Sequence, residues 1–198
     1  MMTIVVGGHS RKVGKTSVAA GLIRAFSQYS WTAVKLTTHW HPDSPADEAC
    51  SIVQETSSEG KSDSARYLAA GAARSFWIRM REERSEETFP ILLPILQSGP
   101  FAMIESNCIL RHIRPDLYIM VLRCDVDDFK ESARKTIGQA HAVVAVNCDS
   151  ASPVWKDFVR ESLARIPVFP TQDPAVIPAG LLELVASKIR DSKFEIRD

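Results

Sequence analysis

The residues with the most chemical promise lie near the start of the sequence: Gly8-His9-Ser10-Arg11-Lys12-Val13-Gly14-Lys15-Thr16, followed by Ser17. A β-branched run, Thr3-Ile4-Val5-Val6, precedes them. Val18, Leu22 and Phe26 recur every four residues after them. A strand, a glycine-bounded loop and a helix in that order form the setting a phosphate-binding P-loop requires. Successive backbone N–H groups would curl around phosphate oxygens, and the helix N-terminus would add the positive end of its dipole. Gly14 allows the backbone to approach closely. The Lys15 ammonium can reach β- and γ-phosphates, and the Thr16 hydroxyl can ligate Mg²⁺. The common pattern, Gly-x-x-x-x-Gly-Lys-Ser/Thr, is one residue shorter than the spacing from Gly8 to Gly14. Arg11 and Lys12 are extra charges in the loop. They could bind phosphate, act across a dimer as an arginine finger, or point into solvent.

The elements that must position this loop follow from short apolar runs. Trp31 to Leu36, Phe76 to Met80, Phe101 to Ile104, Leu117 to Leu122, Ala142 to Val146 and the shorter Ile166 to Phe169 join the first run. Most are continuously apolar, which suits strands buried on both faces. Helical spacing lies between them. It is carried by Phe129, Ala133 and Ile137, then by Trp155, Val159 and Leu163 after a Ser152-Pro153 cap. Leu181, Leu184, Val185 and Ile189 carry the last helix. This alternation predicts an α/β, three-layer P-loop NTPase fold of about seven mostly parallel strands with helices on both faces. The whole chain, 1–198, reads as one nucleotide-binding domain. Two regions interrupt the pattern. The polar stretch 39–60 reads as a long loop with one helical turn near Glu48 to Val53, a candidate switch element. Pro90 and Pro94 imply that any helix around 89–96 is broken or starts late.

At this point the sequence resembles known proteins. The Gly-x5-Gly-Lys-Thr loop is similar to that of dethiobiotin synthetase, a SIMIBI-class P-loop protein. The stretch after it resembles the molybdopterin-guanine dinucleotide biosynthesis protein B family, MobB. Such chains have a second strand ending in Lys before a His-bearing loop, here Ala33-Val34-Lys35 and then His39 and His41. They also carry a Gly-Lys-Asp-Ser-x-Arg segment running into Ala-Gly-Ala. Here it reads Gly60-Lys61-Ser62-Asp63-Ser64-Ala65-Arg66 and then Ala70-Gly71-Ala72, one residue longer before the Asp. A third match is Met103-Ile104-Glu105 at a strand end, followed by Ser106-Asn107-Cys108 where the families have glycine.

The resemblance covers about the first half of the chain, from Thr3 to Ser106. It implies Mg²⁺ held by Thr16, Asp63 and Glu105, with GTP or ATP as the bound nucleotide and a leaning to GTP. It implies service in molybdenum cofactor assembly beside a partner enzyme, a homodimer across the nucleotide face, and slow hydrolysis with Lys15 stabilising phosphate charge. An alternative is an ATP-dependent ligase in which Lys35 faces a substrate amine or carboxylate. A nucleotide-switched adaptor is a third reading.

The remaining candidates are weaker. Asn147 follows a strand where P-loop proteins often read the base, but Asn147-Cys148-Asp149 also suits a turn. His39 and His41 could be metal ligands or solvated loop residues. His112 and His141 are single and uninformative. Asp125, Asp127 and Asp128 read as stabilising a helix N-terminus. Trp77 and Trp155 read as core.

Composition sets outer bounds. The 198 residues carry 24 Lys+Arg and 24 Asp+Glu, so net charge is zero. A dedicated nucleic-acid or membrane-surface binder needs a basic footprint, which this balance disfavours. No run reaches membrane-span length, and the start lacks a signal-peptide pattern, so a cytoplasmic location is expected. Cys50, Cys108, Cys124 and Cys148 form no CxxC pair, and reduced thiols are expected.

Overall fold

A computed structural model describes residues 1–38, 48–149 and 153–194. His39, His41 and Ser152 lie outside the described residues. In chain order the elements are β1 (Met2–Gly8), α1 (Lys15–Ala25), β2 (Trp31–Thr37), β3 (Cys50–Glu55), α2 (Asp63–Ala69), β4 (Arg74–Met80), α3 (Ser85–Leu96), β5 (Phe101–Glu105), β6 (Leu117–Arg123), α4 (Glu131–Thr136), β7 (Ala142–Val146), α5 (Lys156–Leu163), β8 (Val168–Thr171) and α6 (Ala179–Phe194). Short 3₁₀ turns cover Glu82–Arg84, Cys108–Arg111 and Ile137–Gln139.

The strands form one eight-stranded sheet in the order β3-β4-β2-β5-β1-β6-β7-β8. Every pairing is parallel except β3 with β4. β1, β5, β6 and β7 are buried on both faces, which explains their unbroken apolar sequences. Ile4, Val6, Met103 and Ile119 pack with Val18 and Leu22 of α1, Tyr67 of α2, and Leu181 and Val185 of α6. Val5, Val34, Ile104 and Met120 face the other way, against Leu92 of α3, Ala133 of α4 and Val159 of α5. The expected three layers are therefore present, and all seven expected strands are among the eight.

The eighth strand corrects the reading of 39–60. Cys50–Glu55 is neither loop nor helical turn but an antiparallel edge strand. Ser51, Gln54 and Glu55 disguise it, because an exposed edge needs no apolar face. A second correction concerns α3, which runs unbroken through Pro90 and Pro94. The two prolines are a turn apart and exposed, while Ser85, Thr88, Leu92 and Leu96 face the core. The carbonyls left without N–H partners therefore lie on the wet side of the helix, where water can serve them.

A third correction concerns the thiols. Arg123 and Val146 are register partners on β6 and β7. Cys124 and Cys148 follow these strand ends with Cα atoms 4.9 Å apart, and they form a disulfide. Cys50 and Cys108 are free. Trp155 is buried as expected, but Trp77 on β4 is 40% exposed, under the guanidinium of Arg79. Among the described residues no helix is long and apolar enough to cross a membrane.

Candidate functional site

The P-loop lies between the end of β1 and the start of α1, at the edge where parallel strands present their C-terminal ends. Lys12 (φ 57°) and Gly14 (φ 106°) both adopt left-handed backbone, which bends the loop back toward its helix. Gly14 is required twice over, since a Cβ there would sit 2.5 Å from Pro174 Cβ. Gly8 is as constrained by space, because a Cβ would meet Val13 Cγ2 at 2.8 Å and Lys15 Cγ at 2.9 Å. Asn107, just beyond β5, braces the loop start in both directions. Its Oδ1 accepts from Gly8 N–H at 2.9 Å, and its Nδ2 donates to Gly8 O at 2.9 Å.

The segment before α4 clasps the loop from the other side. Lys130 N–H donates to His9 O at 2.8 Å, and the Ser10 hydroxyl donates to the Asp128 carboxylate. The Asp125–Asp128 cluster thus corrects its sequence reading. α4 begins at Glu131 with Lys130 as its N-cap, so the aspartates hold neighbouring loops rather than cap the helix. Asp125 takes the Arg123 guanidinium and Asp127 takes Val154 N–H.

His9 is not on the wall of the cleft. It is fully buried between Phe129 and Trp155. Its Nε2 accepts from Arg123 N–H at 3.1 Å, so the proton sits on Nδ1, which donates to Asp128 O at 2.8 Å. Its backbone N–H is spent on Val121 O. Burial, the largest cause, lowers the His9 pKa and keeps the ring neutral. His9 shapes the P-loop from behind instead of contacting a ligand.

Opposite the loop is a buried carboxylate. Glu105, at the tip of β5, is 2% exposed. Its Oε2 accepts from the Thr16 hydroxyl at 2.7 Å and from the Tyr67 hydroxyl, while its Oε1 receives the Lys35 ammonium. Burial first, and the adjoining Glu105 charge second, raise the Tyr67 pKa well above the ordinary phenol value, so Tyr67 stays a donor. Lys35 also reaches Asp63 Oδ2 at 3.0 Å. Asp63 opens α2, whose N-cap Ser62 accepts from Ala65 N–H at 3.0 Å. The Ser62 and Ser64 hydroxyls donate to Glu55 Oε2 at the end of β3. The Gly60–Arg66 motif therefore builds a capped helix that delivers Asp63 to Lys35.

The donor set fits a hard divalent cation such as Mg²⁺. Thr16 gives its proton to Glu105 and keeps its lone pairs for a metal. Glu105 already accepts three donors, so it suits orienting Thr16 or a metal-bound water better than direct ligation. Asp63 offers a second, partly exposed carboxylate.

These groups line a cavity of about 520 Å³. Gly8, Ser10, Arg11, Lys12, Val13, Gly14, Lys15, Thr16 and Ser17 form one wall, and Lys35, Asp63, Arg66 and Glu105 form another. It extends to Glu82, Cys108 and Lys130. Lys15 donates to Ser10 O at 2.7 Å. Its pKa is brought down from 10.5 to about 8, chiefly by burial, with the Glu105 charge opposing. An ammonium held half-desolvated in this way gains most from an arriving phosphate. Arg66 donates to the Ser17 hydroxyl at 3.0 Å. Burial raises the Cys108 pKa, and its sulfur lies 3.0 Å from the Ser106 hydroxyl.

The structure thus brings together Lys15, Lys35, Thr16, Asp63, Glu105 and the loop from Gly8 to Ser17, apart from His9. Asn147 lies past β7, at φ 55°, with its amide donating to Asp125 Oδ2 at 3.3 Å, and it does not line the cavity. Asn107 and Tyr67 are supports that the sequence reading missed, and Asp128 is one that it assigned to a helix N-terminus. None carries a motif, because each is defined by the chain segment it reaches across the fold.

No protein-family model matches the chain, and no curated protein matches it by sequence. Several solved structures are similar to it. HypB from Helicobacter pylori in complex with nickel superposes with TM-score 0.49 and 16% identity over 98% of this chain and 88% of that one. The Zn(II)-bound YjiA GTPase from E. coli gives 0.47 and 14%, over 92% and 60%. LpxK from Aquifex aeolicus in complex with ATP gives 0.50 and 20%, over 86% of this chain and 53% of that one. The chain therefore spans about half of LpxK. With the loop geometry above, the likeness to LpxK shows that this chain has the P-loop NTPase fold.

Proposed function

We propose that the chain binds a purine nucleoside triphosphate with Mg²⁺ and hydrolyses it slowly. Lys15 and the P-loop amides hold the phosphates, and Thr16 ligates the cation under the control of Glu105. Asp63 completes the cation's surroundings. The observation that carries this is the buried Glu105 carboxylate, held between the Thr16 and Tyr67 hydroxyls and the Lys35 ammonium in front of the P-loop. Arg11 and Lys12, exposed on the cavity rim, add charge for the outer phosphates. Asn147 supplies a base contact once its amide leaves Asp125. Mg²⁺ supplies neutralisation of phosphate charge when bound.

Slow turnover is supported by how the carboxylates of the wall are engaged. Glu105 is occupied by three donors, Asp63 by Lys35 and Arg66, and Glu82 by Arg111. Among the described residues each cavity carboxylate is thus engaged, and none stands free to take a proton from an attacking water. The matches to MobB at Lys35, Gly60–Arg66 and Glu105 support GTP as the nucleotide and a role in molybdenum cofactor assembly, as a homodimer beside a partner enzyme. The ligase reading keeps one supporting observation: the cavity continues past the P-loop to Glu82, Cys108 and Lys130, where a second substrate could sit.

Equilibrium titrations with ATP, GTP and their diphosphates, with and without Mg²⁺, test the proposal. Lys15→Ala should weaken triphosphate binding by about a hundredfold, the scale of removing one charge-assisted hydrogen bond from a desolvated site. Unchanged affinity would overturn the assignment. Nucleotide turnover that requires an added small carboxylic acid would favour the ligase.

A further inference from the structure

A second cavity, of about 550 Å³, is separate from the P-loop cleft. Its wall is the crossing segment from Leu110 to Pro115, with Tyr118 at the base of β6 and Gln139 and His141 at the approach to β7. β6 and β7 run parallel to β1, so Tyr118 and His141 mark the end of the sheet opposite the P-loop. Among the described residues the wall holds Arg111, Arg114, His112 and His141 and no carboxylate.

Three details make this more than a crevice between loops. His112 has a side chain only 5% exposed and stacks on Phe89 of α3 at 5.0 Å and 13°. Its Nε2 is buried with no hydrogen-bond partner among the described residues. An orphaned buried nitrogen is costly, and because this one has less than 1 Å² of accessible surface a ligand meets it only when the His112 ring turns toward the cavity. His141 Nδ1 accepts from Tyr118 N–H at 2.8 Å, which places its proton on Nε2 as a donor. Arg114 is exposed, and no ion pair or hydrogen bond engages it among the described residues. Three acids stand near the wall without lining it. Asp116 accepts from Thr3 N–H at 2.6 Å, and Glu86, 92% exposed, stands 3.8 Å from His112 Nδ1. Arg111 is engaged by Glu82 at 2.6 Å through one terminal nitrogen, which leaves the rest of its fork.

We propose that this cavity binds a small oxyanion ligand, a phosphate ester or a dicarboxylate, through Arg111, Arg114, His112 and His141. Among the described residues the wall carries four basic side chains and no carboxylate, and Glu82 and Glu86 occupy only part of Arg111 and His112 from outside it, so an anion is favoured over a cation. The volume admits a metabolite-sized ligand and not a folded partner.

The test uses the full chain carrying Lys15→Ala, so that the P-loop does not dominate phosphate uptake. Inorganic phosphate and succinate are titrated separately, followed by calorimetry and by the histidine ring signals in NMR. The expected result is saturable binding of one or both anions with shifts in the His112 and His141 rings. Arg114→Ala should weaken it by about tenfold, the worth of one guanidinium–oxyanion hydrogen bond. Arg114→Lys, which keeps the charge but not the fork, should lose less. Phosphate alone binding identifies a phosphorylated ligand, and succinate alone a carboxylate. Binding of neither anion, or binding indifferent to Arg114→Ala and without movement of the His112 and His141 signals, overturns the proposal. Circular dichroism of the exposed-site variants separates weakened binding from a failure to fold.

Discussion

The two cavities are nearly equal in size, about 520 and 550 Å³, and opposite in construction. The P-loop cleft sets cations against carboxylates: Lys15, Lys35 and Arg66 against Asp63, Glu82 and Glu105. Its central acid is buried and saturated with donors. The second cavity's wall holds arginines and histidines and, among the described residues, no carboxylate, with Glu82 and Glu86 reaching Arg111 and His112 from behind it. On the two proposals above, the first takes an anion that brings its own cation, and the second an anion alone. The first is also structural. Its polar network crosses β2, β5, α1 and α2, so breaking it must cost stability. The second is assembled from a crossing segment and two strand approaches, so its exposed members should be dispensable to folding.

The sharpest way to break this contrast is to remove one charged residue from each. Glu105→Ala takes the carboxylate from the buried Tyr67 and Thr16 hydroxyls and strips Lys35 of one of its two carboxylate partners. The expected loss is about 3–5 kcal/mol, as for a broken buried ion pair. Arg114→Ala should stay within about 0.5 kcal/mol of the parent. Urea denaturation of the two variants measures both. Equal effects would show that the first cavity's network is not the structural one.

The next effect separates the two ends of β6 and β7. Cys124–Cys148 joins the P-loop ends of these strands and closes a separation of 24 residues. Loop-closure entropy gives such a bridge about 3 kcal/mol. Reduction, or a Cys124→Ser and Cys148→Ser double variant, should lower the thermal midpoint. It should also loosen the turn that holds Asn147, and leave the His141 ring signal unmoved at the far end. A shift in His141 on reduction would show that the strands do not insulate the two sites.

The contrast also explains what the sequence disclosed. The first cavity was legible because most of its wall is contiguous: 8–17 is a motif, and the strand–loop–helix order around it follows from apolar runs. Lys35, Asp63 and Glu105 were reached through resemblance, and the structure places all three around one point. The place of the His9 ring behind the loop was not legible, because motif spacing cannot say which way a ring turns. Only Phe129, Trp155 and the Arg123 amide, far along the chain, settle that. β3 was hidden because an edge strand buries too little to alternate visibly. α3 was hidden because the wet and dry sides of Pro90 and Pro94 depend on packing. The second cavity left no sequence trace, since its members are scattered over 110–115, 118, 139 and 141 and share no period.

A smaller effect tests the electrostatics of the first site alone. With the Lys15 pKa brought down to about 8, the free protein loses the ammonium above that pH, while the proposed phosphate binding would use it. Binding then takes up a proton, and affinity falls as pH rises. Between pH 7 and 9 the expected loss is about tenfold, one pKa unit's worth. For stability the sign is opposite. Between about pH 8 and 10.5 the unfolded chain keeps a proton that the folded chain has lost. Folding is therefore favoured as pH rises through that window. Calorimetry in buffers of different ionisation heat measures the uptake, and Lys15→Ala should abolish both trends.

The smallest effect joins the cavities. Glu82 lines the P-loop cleft and Arg111 lines the other cavity, and they pair at 2.6 Å with side chains about half exposed. An exposed pair of this kind contributes about 0.2–1 kcal/mol. An anion that draws Arg111 away frees the Glu82 carboxylate inside the cleft, where it repels phosphate. Saturating oxyanion should therefore weaken nucleotide binding, but by no more than about fivefold, the whole worth of the pair. Linkage makes the effect reciprocal, so nucleotide should weaken the anion by the same factor. Arg111→Ala should abolish the coupling in both directions, whereas Arg114→Ala should weaken the anion and leave the coupling factor intact. A coupling far above fivefold would require more than this one pair to connect the two ends of the molecule. A coupling of one would mean that Arg111 can hold Glu82 and the anion together, with different nitrogens of the same fork.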